Sequence, residues 1–236
     1  MTRLYDLLIK GGPVMVPIVG LSILAVACAL ERAWFWRQVL KEEQKIVHEV
    51  LAAARYSLED AHQIAERVTQ MPIGRFLLAA LKLNRPNPET FRLAMESAGD
   101  QEFAKMRRGD KLLETIVAIA PLLGLLGTVT GLIHTFLNLK IGAGGTAPDL
   151  SKASAGIGEA LITTAGGMIV AIIALIVFRV SITLQAQQID YFAKVGSELE
   201  LIYRQIWYEP FFDSHRRSEI PDSPAEFLRI PPSDRG

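Results

Sequence analysis

Residues 115–139 read TIVAIAPLLGLLGTVTGLIHTFLNL, a run without Lys, Arg, Asp or Glu. At roughly 1.5 Å per residue, a helix of this length exceeds the ~30 Å hydrocarbon core of a bilayer, so the stretch predicts a membrane-spanning helix. Ala120, Gly124, Gly127, Gly131, His134 and Asn138 recur at spacings of 4, 3, 4, 3 and 4. That spacing puts them on one narrow stripe and leaves Leu, Ile and Val to the other faces. Small groups gain nothing from lipid, whereas they let another helix backbone come close, and Gly127 with Gly131 is a GxxxG pair. Thr128 lies beside the stripe and Thr135 follows on the same side. Helix packing alone would account for such a stripe.

A second stripe lies further along. Ala160–Phe178 is uncharged and just long enough to span. Within it Ala160, Thr164, Gly167, Ala171 and Ala174 repeat the 4, 3, 4, 3 spacing. The turn IGAGGTAPDLS precedes it, where Asp149 or Ser151 can cap the new helix. A helix starting near Leu150 would place Glu159 about 14 Å along its axis. An ionisable group there is costly unless it faces protein or water. Glu159 is therefore either part of a polar wall or an interfacial carboxylate at the outer end of a shorter span. Thr163 is one turn on from Glu159. The hydroxyls of Thr128, Thr163 and Thr164 can bond back to a carbonyl one turn earlier, the common fate of membrane Thr, or order water along a path. The two stripes are expected to face a central pore with Glu159 in its wall. Of Thr163 and Thr164, one would face the pore and the other a neighbouring helix. His134, near the outer end of its span, reads as a packing or interfacial residue.

Towards the N-terminus, Met1–Lys10 has an amphipathic, interface-seeking pattern. Gly11–Leu30 is a first span, closed by Glu31, Arg32, Trp34 and Trp36 as an aromatic belt beside charge. A cleaved signal peptide is disfavoured, because ALERAWFW stands where a small-residue cleavage site would be needed. The segment after this span carries Lys41, Lys45, Arg55, Arg67, Arg75, Lys82, Arg85 and Arg92, whereas the connection after the second span offers Lys140 and Lys152. The positive-inside rule then makes the segment cytoplasmic and the N-terminus periplasmic. Ser57 with Asp60 is a capping box, Asn87 with Pro88 an N-cap followed by proline, and the prolines divide the segment into four helices. The absence of proline between Pro88 and Pro121 predicts a last cytoplasmic helix continuous with the second span. Beyond Arg179, Phe192, Val195, Leu199, Ile202 and Ile206 keep helical spacing, so the third helix should extend into the cytoplasm and pack on the soluble helices.

The fold expected is all-α: an integral membrane protein with three transmembrane helices, two of them extended into a cytoplasmic helical domain. Its parts are an amphipathic start and first span (1–36), a cytoplasmic helical region (37–111), a second span (112–140), an outer turn (141–149), a third span with cytoplasmic extension (150–213) and a disordered tail (214–236). Gly124, Gly127, Gly131 and Gly167 are its helix-packing residues. Thr128, Glu159, Thr163 and Thr164 are the candidate pathway or pore-lining residues.

Composition narrows the function classes. The chain is half hydrophobic with formal net charge zero, which gives no electrostatic footprint for nucleic acid. The single Cys28 excludes an internal disulfide and a Cys-based metal cluster, and the four His residues show no zinc-ligand spacing. No phosphate-binding glycine loop, nucleophile elbow or HExxH motif is legible, so neither an enzyme nor a cofactor or metal is expected. A solute transporter is disfavoured by the small number of spans and the lack of an inverted repeat.

The run APLLGLLGTVTGLIHTF (120–136), followed by GIGEALITTAGGMIVAI (156–172), resembles the paired signature of the MotA/TolQ/ExbB proton-channel family, closest to its ExbB and TolQ branch. The four-span MotA-like layout fits less well than three spans. The resemblance implies an inner-membrane proton-channel subunit that couples the proton-motive force to work on the outer membrane, such as TonB-dependent transport. It implies a homopentamer around a single-span partner similar to ExbD or TolR with a membrane Asp, and work passed to a protein similar to TonB or TolA. Thr128, Glu159 and Thr164 match the family's polar positions. One departure is Ile173, where the family often has proline. A non-conducting three-span scaffold is the alternative.

Overall fold

The computed structural model describes residues 11–141 and 147–210, and of residues 138–141 and 147–153 the backbone alone. The described residues are helical, in the order α1 (Met15–Leu40), α2 (Glu43–Ala54), α3 (Leu58–Arg67), α4 (Pro72–Leu81), α5 (Pro88–Met106), α6 (Asp110–Ile141) and α7 (Ala147–Ile202). A π-helical turn, Tyr203–Tyr208, ends α7. Three helices are long and apolar enough to cross a membrane, and they correspond to α1, α6 and α7. The amphipathic Met1–Lys10, residues 142–146 of the outer turn, the side chains of Asn138, Asp149 and Ser151, and the tail 214–236 lie outside the described residues.

The chain divides into two compact units, Met1–Lys41 with Phe103–Gln188 and Glu42–Glu102 with Ile189–Gly236. In the first, Ile18 and Ala25 of α1, Leu113, Ile116 and Ala120 of α6, and Val170, Ala171 and Ala174 of α7 form one buried cluster. The outward faces carry Leu122, Leu125, Val129, Phe136, Leu161, Ile169, Ile172 and Ile176, as lipid-facing surfaces should. No proline interrupts α7 at Ile173, and its ladder runs unbroken from Ala147 to Ile202.

One expectation about continuity needs correction. The helix from Pro88 does not run on into the second span: α5 ends at Met106, and Gly109 takes φ +87° before α6 begins at Asp110. The break needs no proline, because glycine alone enters the left-handed region freely. Arg32 secures it. Its guanidinium is 5% exposed, donates from Nη1 to the Met106 carbonyl at 2.9 Å, and makes a two-pronged ion pair with Glu31 at 2.6 and 2.7 Å. A carbonyl left unbonded at the helix end is thus satisfied by a buried cation. Across the start of α6, Gln185 of α7 donates to the Asp110 carboxylate.

In the second unit the caps lie where the sequence puts them. The Asp60 amide donates to Ser57 Oγ at 3.1 Å, and the Thr90 amide to Asn87 Oδ1 at 2.7 Å. Arg75 bridges to the buried Glu102 carboxylate and to the Thr69 carbonyl, and the hydrogen bond to Glu102 raises its pKa further. Phe192, Val195, Leu199 and Ile202 of α7 are buried, with Phe192 against Phe76 at 4.8 Å. Ile206 is the exception, at 43% exposed. The π-helical turn adds a residue to the repeat and rotates the register, so the half-buried Trp207 turns inward in its place, its indole N–H donating to the Ala54 carbonyl at 2.8 Å. Tyr203 stacks on Phe91 at 4.3 Å and donates to the Pro86 carbonyl.

Gly109→Ala distinguishes the broken helix from a continuous one. In an unbroken helix alanine would stabilise by about 1 kcal/mol; in this left-handed turn it should destabilise by about 1 kcal/mol, read as a lower thermal midpoint of the detergent-solubilised protein.

Candidate functional site

The small stripes of α6 and α7 do not look outward. They meet each other within the chain, which corrects the expectation that both face a central pore. A Cβ built on Gly124 would lie 3.1 Å from Thr164 Cα, and one on Gly131 would lie 2.8 Å from Ala160 Cβ. A Cβ on Gly167 would come within 2.5 Å of the Ala120 carbonyl and 3.0 Å of Gly124 Cα, and one on Gly127 would overlap the Thr163 side chain. Glycine is therefore required on both sides of the seam for the two backbones to approach as they do. Spacing reveals that a helix carries such a face; it does not reveal whether the facing helix belongs to the same chain.

Threonine hydroxyls at or beside this seam are each held by a carbonyl. Thr164 Oγ1 donates to the Gly124 carbonyl of α6 at 2.8 Å and lies 3.2 Å from that of Ala160. Thr128 donates back to Leu125 at 2.7 Å, and the buried Thr135 to Gly131 at 2.9 Å. Thr163 is fully buried, with Oγ1 2.8 Å from the carbonyls of both Glu159 and Gly11. Thr128 and Thr164 are half-buried. The structure thus brings Thr163 and Thr164 into the intrachain contacts together, Thr163 against α6 and the start of α1, Thr164 against α6 alone. His134 is exposed.

Glu159 is half-buried. Because α7 starts at Ala147, the residue sits about 18 Å along its axis, and about 30 Å before Arg179. That second distance matches the hydrocarbon thickness, so Glu159 marks one end of the apolar run, the end nearer Ala147. Its carboxylate turns to the chain entering α1, where Gly12 holds φ +66°. Sequence reasoning missed this partner, although a Gly-Gly pair ahead of an apolar run is a legible turn signal. It also missed Arg32, whose place beside an aromatic belt is indistinguishable in sequence from a snorkelling cation. Among the described residues, no group of three or more His, Cys, Asp or Glu side chains is arranged to hold a metal ion.

Fold and site together define a three-span α-helical membrane protein whose second and third spans pack backbone to backbone, with threonine hydroxyls at the contact and one carboxylate at an end of the third span's apolar run. The chain belongs to the MotA/TolQ/ExbB proton channel family, whose model matches residues 68–194. It is 64% identical over 208 residues to the putative biopolymer transport protein ExbB-like 1 of Synechocystis sp., covering 88% of this chain and 82% of the relative. It is 38% identical to ExbB-like 3 of the same organism, over 85% of this chain and 95% of the relative. To the Tol-Pal system protein TolQ of Haemophilus influenzae it is 28% identical, over 81% of this chain and 88% of the relative.

Gly167→Ala should lower the detergent-state stability by about 1–3 kcal/mol, because the added methyl meets the α6 backbone. Gly158→Ala, which meets nothing within 4 Å, should be neutral or slightly stabilising. A thermal melt of the two variants side by side checks the contrast.

Proposed function

We propose that this chain is the proton-channel subunit of an inner-membrane motor that couples the proton-motive force to work on the outer membrane, of the ExbB/TolQ kind. Its N-terminus is periplasmic and its C-terminus cytoplasmic. It assembles as a homo-oligomer, a pentamer, around a single-span protein similar to ExbD or TolR. That partner contributes the membrane Asp that takes up the proton, and work passes to a protein similar to TonB or TolA. TonB-dependent transport is one such process; a Tol-Pal role fits the same mechanism.

The observation that carries this reading is the family match over residues 68–194, with Thr128, Thr164 and Glu159 as polar residues on otherwise apolar spans supporting it. A proton crossing at ~100 mV releases about 2.3 kcal/mol, enough to bias a conformational step coupled to its path. Threonine hydroxyls do not hold a proton at neutral pH, but they donate and accept hydrogen bonds and so can order water along the way. Thr164, with two carbonyls in reach, is suited to exchanging partners as its helix moves. Glu159 supplies a titratable group at the outer end. A scaffold reading finds support in the same hydrogen bonds, since every one of these hydroxyls is already satisfied by backbone.

The test is proton flux into liposomes holding this chain with and without the single-span protein that copurifies with it. Flux should need both proteins, and Thr164→Ala or Thr128→Ala should reduce it about tenfold at equal assembly, the effect of one lost hydrogen bond of ~1.4 kcal/mol. Flux unchanged in both variants overturns the lining role of the two threonines; flux absent from every intact complex favours the scaffold.

A further inference from the structure

The first span enters the structure through a short turn that α7 reads closely. Gly12 is left-handed, with φ +66°, and a Cβ there would overlap the Glu159 carboxylate; Glu159 Cγ lies 3.3 Å from that point. The preceding carbonyl, of Gly11, accepts the Thr163 hydroxyl at 2.8 Å. The next turn of α7 continues the contact, since a Cβ on Gly166 would lie 3.4 Å from the end of the Met15 side chain. Glu159, Thr163 and Gly166 are successive steps along one face of α7, and all three meet residues 11–15.

We infer that Gly12 is a positioning residue for Glu159: the bare backbone at the entry to the first span is the seat that fixes where the carboxylate lies, with the Thr163–Gly11 hydrogen bond as its fastening. This rests on the channel reading, and extends it to the first span. Gly12 is needed on two separable grounds. Its conformation suits glycine, and Asn tolerates it well; its missing side chain leaves the volume that Glu159 fills. Asn at this position therefore keeps the turn and removes the seat.

The experiment has two arms, both on the full chain in its complex. In the first, Cys28→Ala is combined with Gly12→Cys and Glu159→Cys and the complex is oxidised; a disulfide should form, since a Cβ at position 12 lies 3.3 Å from Glu159 Cγ, the place a cysteine sulfur at position 159 would take. No disulfide in an intact complex overturns the contact. In the second, proton flux is compared for wild type, Gly12→Asn, Glu159→Gln and Gly20→Ala, the last meeting nothing within 4 Å. Gly12→Asn should fall about tenfold, towards Glu159→Gln, as expected when a side chain on which a step depends is displaced from its productive position. Gly20→Ala should match wild type. Wild-type flux in Gly12→Asn, with Glu159→Gln silent, overturns the positioning role and leaves the channel reading standing. Wild-type flux in both overturns Glu159's part in the channel and the inference with it. Should Gly12→Asn fail to assemble, the disulfide decides.

Discussion

Backbone-to-backbone contact between α6 and α7 is the constraint on which the membrane unit depends. In lipid no hydrophobic drive brings two apolar helices together, so association rests on close packing and on hydrogen bonds that closeness permits. Gly124, Gly127 and Gly131 on α6 and Gly156 and Gly167 on α7 remove the side chains that would hold the helices apart. Only at that separation can the Thr164 hydroxyl cross to the Gly124 carbonyl. The polar contacts of the seam are thus consequences of its glycines, and a methyl in the wrong place would remove both packing and hydrogen bond.

The same closeness governs how the polar groups behave. A membrane hydroxyl without a partner is costly, and here each finds a carbonyl: Thr128 and Thr135 on their own helix, Thr163 and Thr164 with an additional acceptor across a contact. A hydroxyl with a choice of acceptors loses little by changing between them, whereas one with a single local acceptor is fixed. Thr163 and Thr164 are therefore the positions at which the hydrogen-bond pattern can change with small movements of α1 or α6 against α7.

Much of this was legible in sequence because the signals are local or periodic. Uncharged length marks the spans, 4, 3, 4, 3 spacing marks both small stripes, and Ser57, Asn87, Pro72 and Pro88 mark helix starts by capping chemistry that does not depend on tertiary context. What was not legible depends on which surface meets which. A small stripe has the same spacing whether its partner is in the same chain or another. The break at Gly109 hides in a charged run because glycine ends a helix only where tertiary contacts, here Arg32 on the Met106 carbonyl, favour the turn. Ile206 follows the apolar period faithfully, yet the π-helical turn inserts a residue into the repeat and turns it outward.

Glu159 brings these threads together, because its surroundings come from both kinds of signal. Its place on the stripe-bearing helix follows from spacing, but its carboxylate is oriented by a turn about 150 residues earlier in the chain, through Gly12 and, one helical turn on, Thr163 with Gly11. The position at which a carboxylate enters a membrane protein is set by what excludes lipid from it. Here that is the start of the first span as much as the seam between the second and third. A movement of α1 relative to α7 would therefore alter the exposure of Glu159 without any change in the α6–α7 glycine contacts. The glycine seam and the Glu159 carboxylate are in this sense mechanically separable.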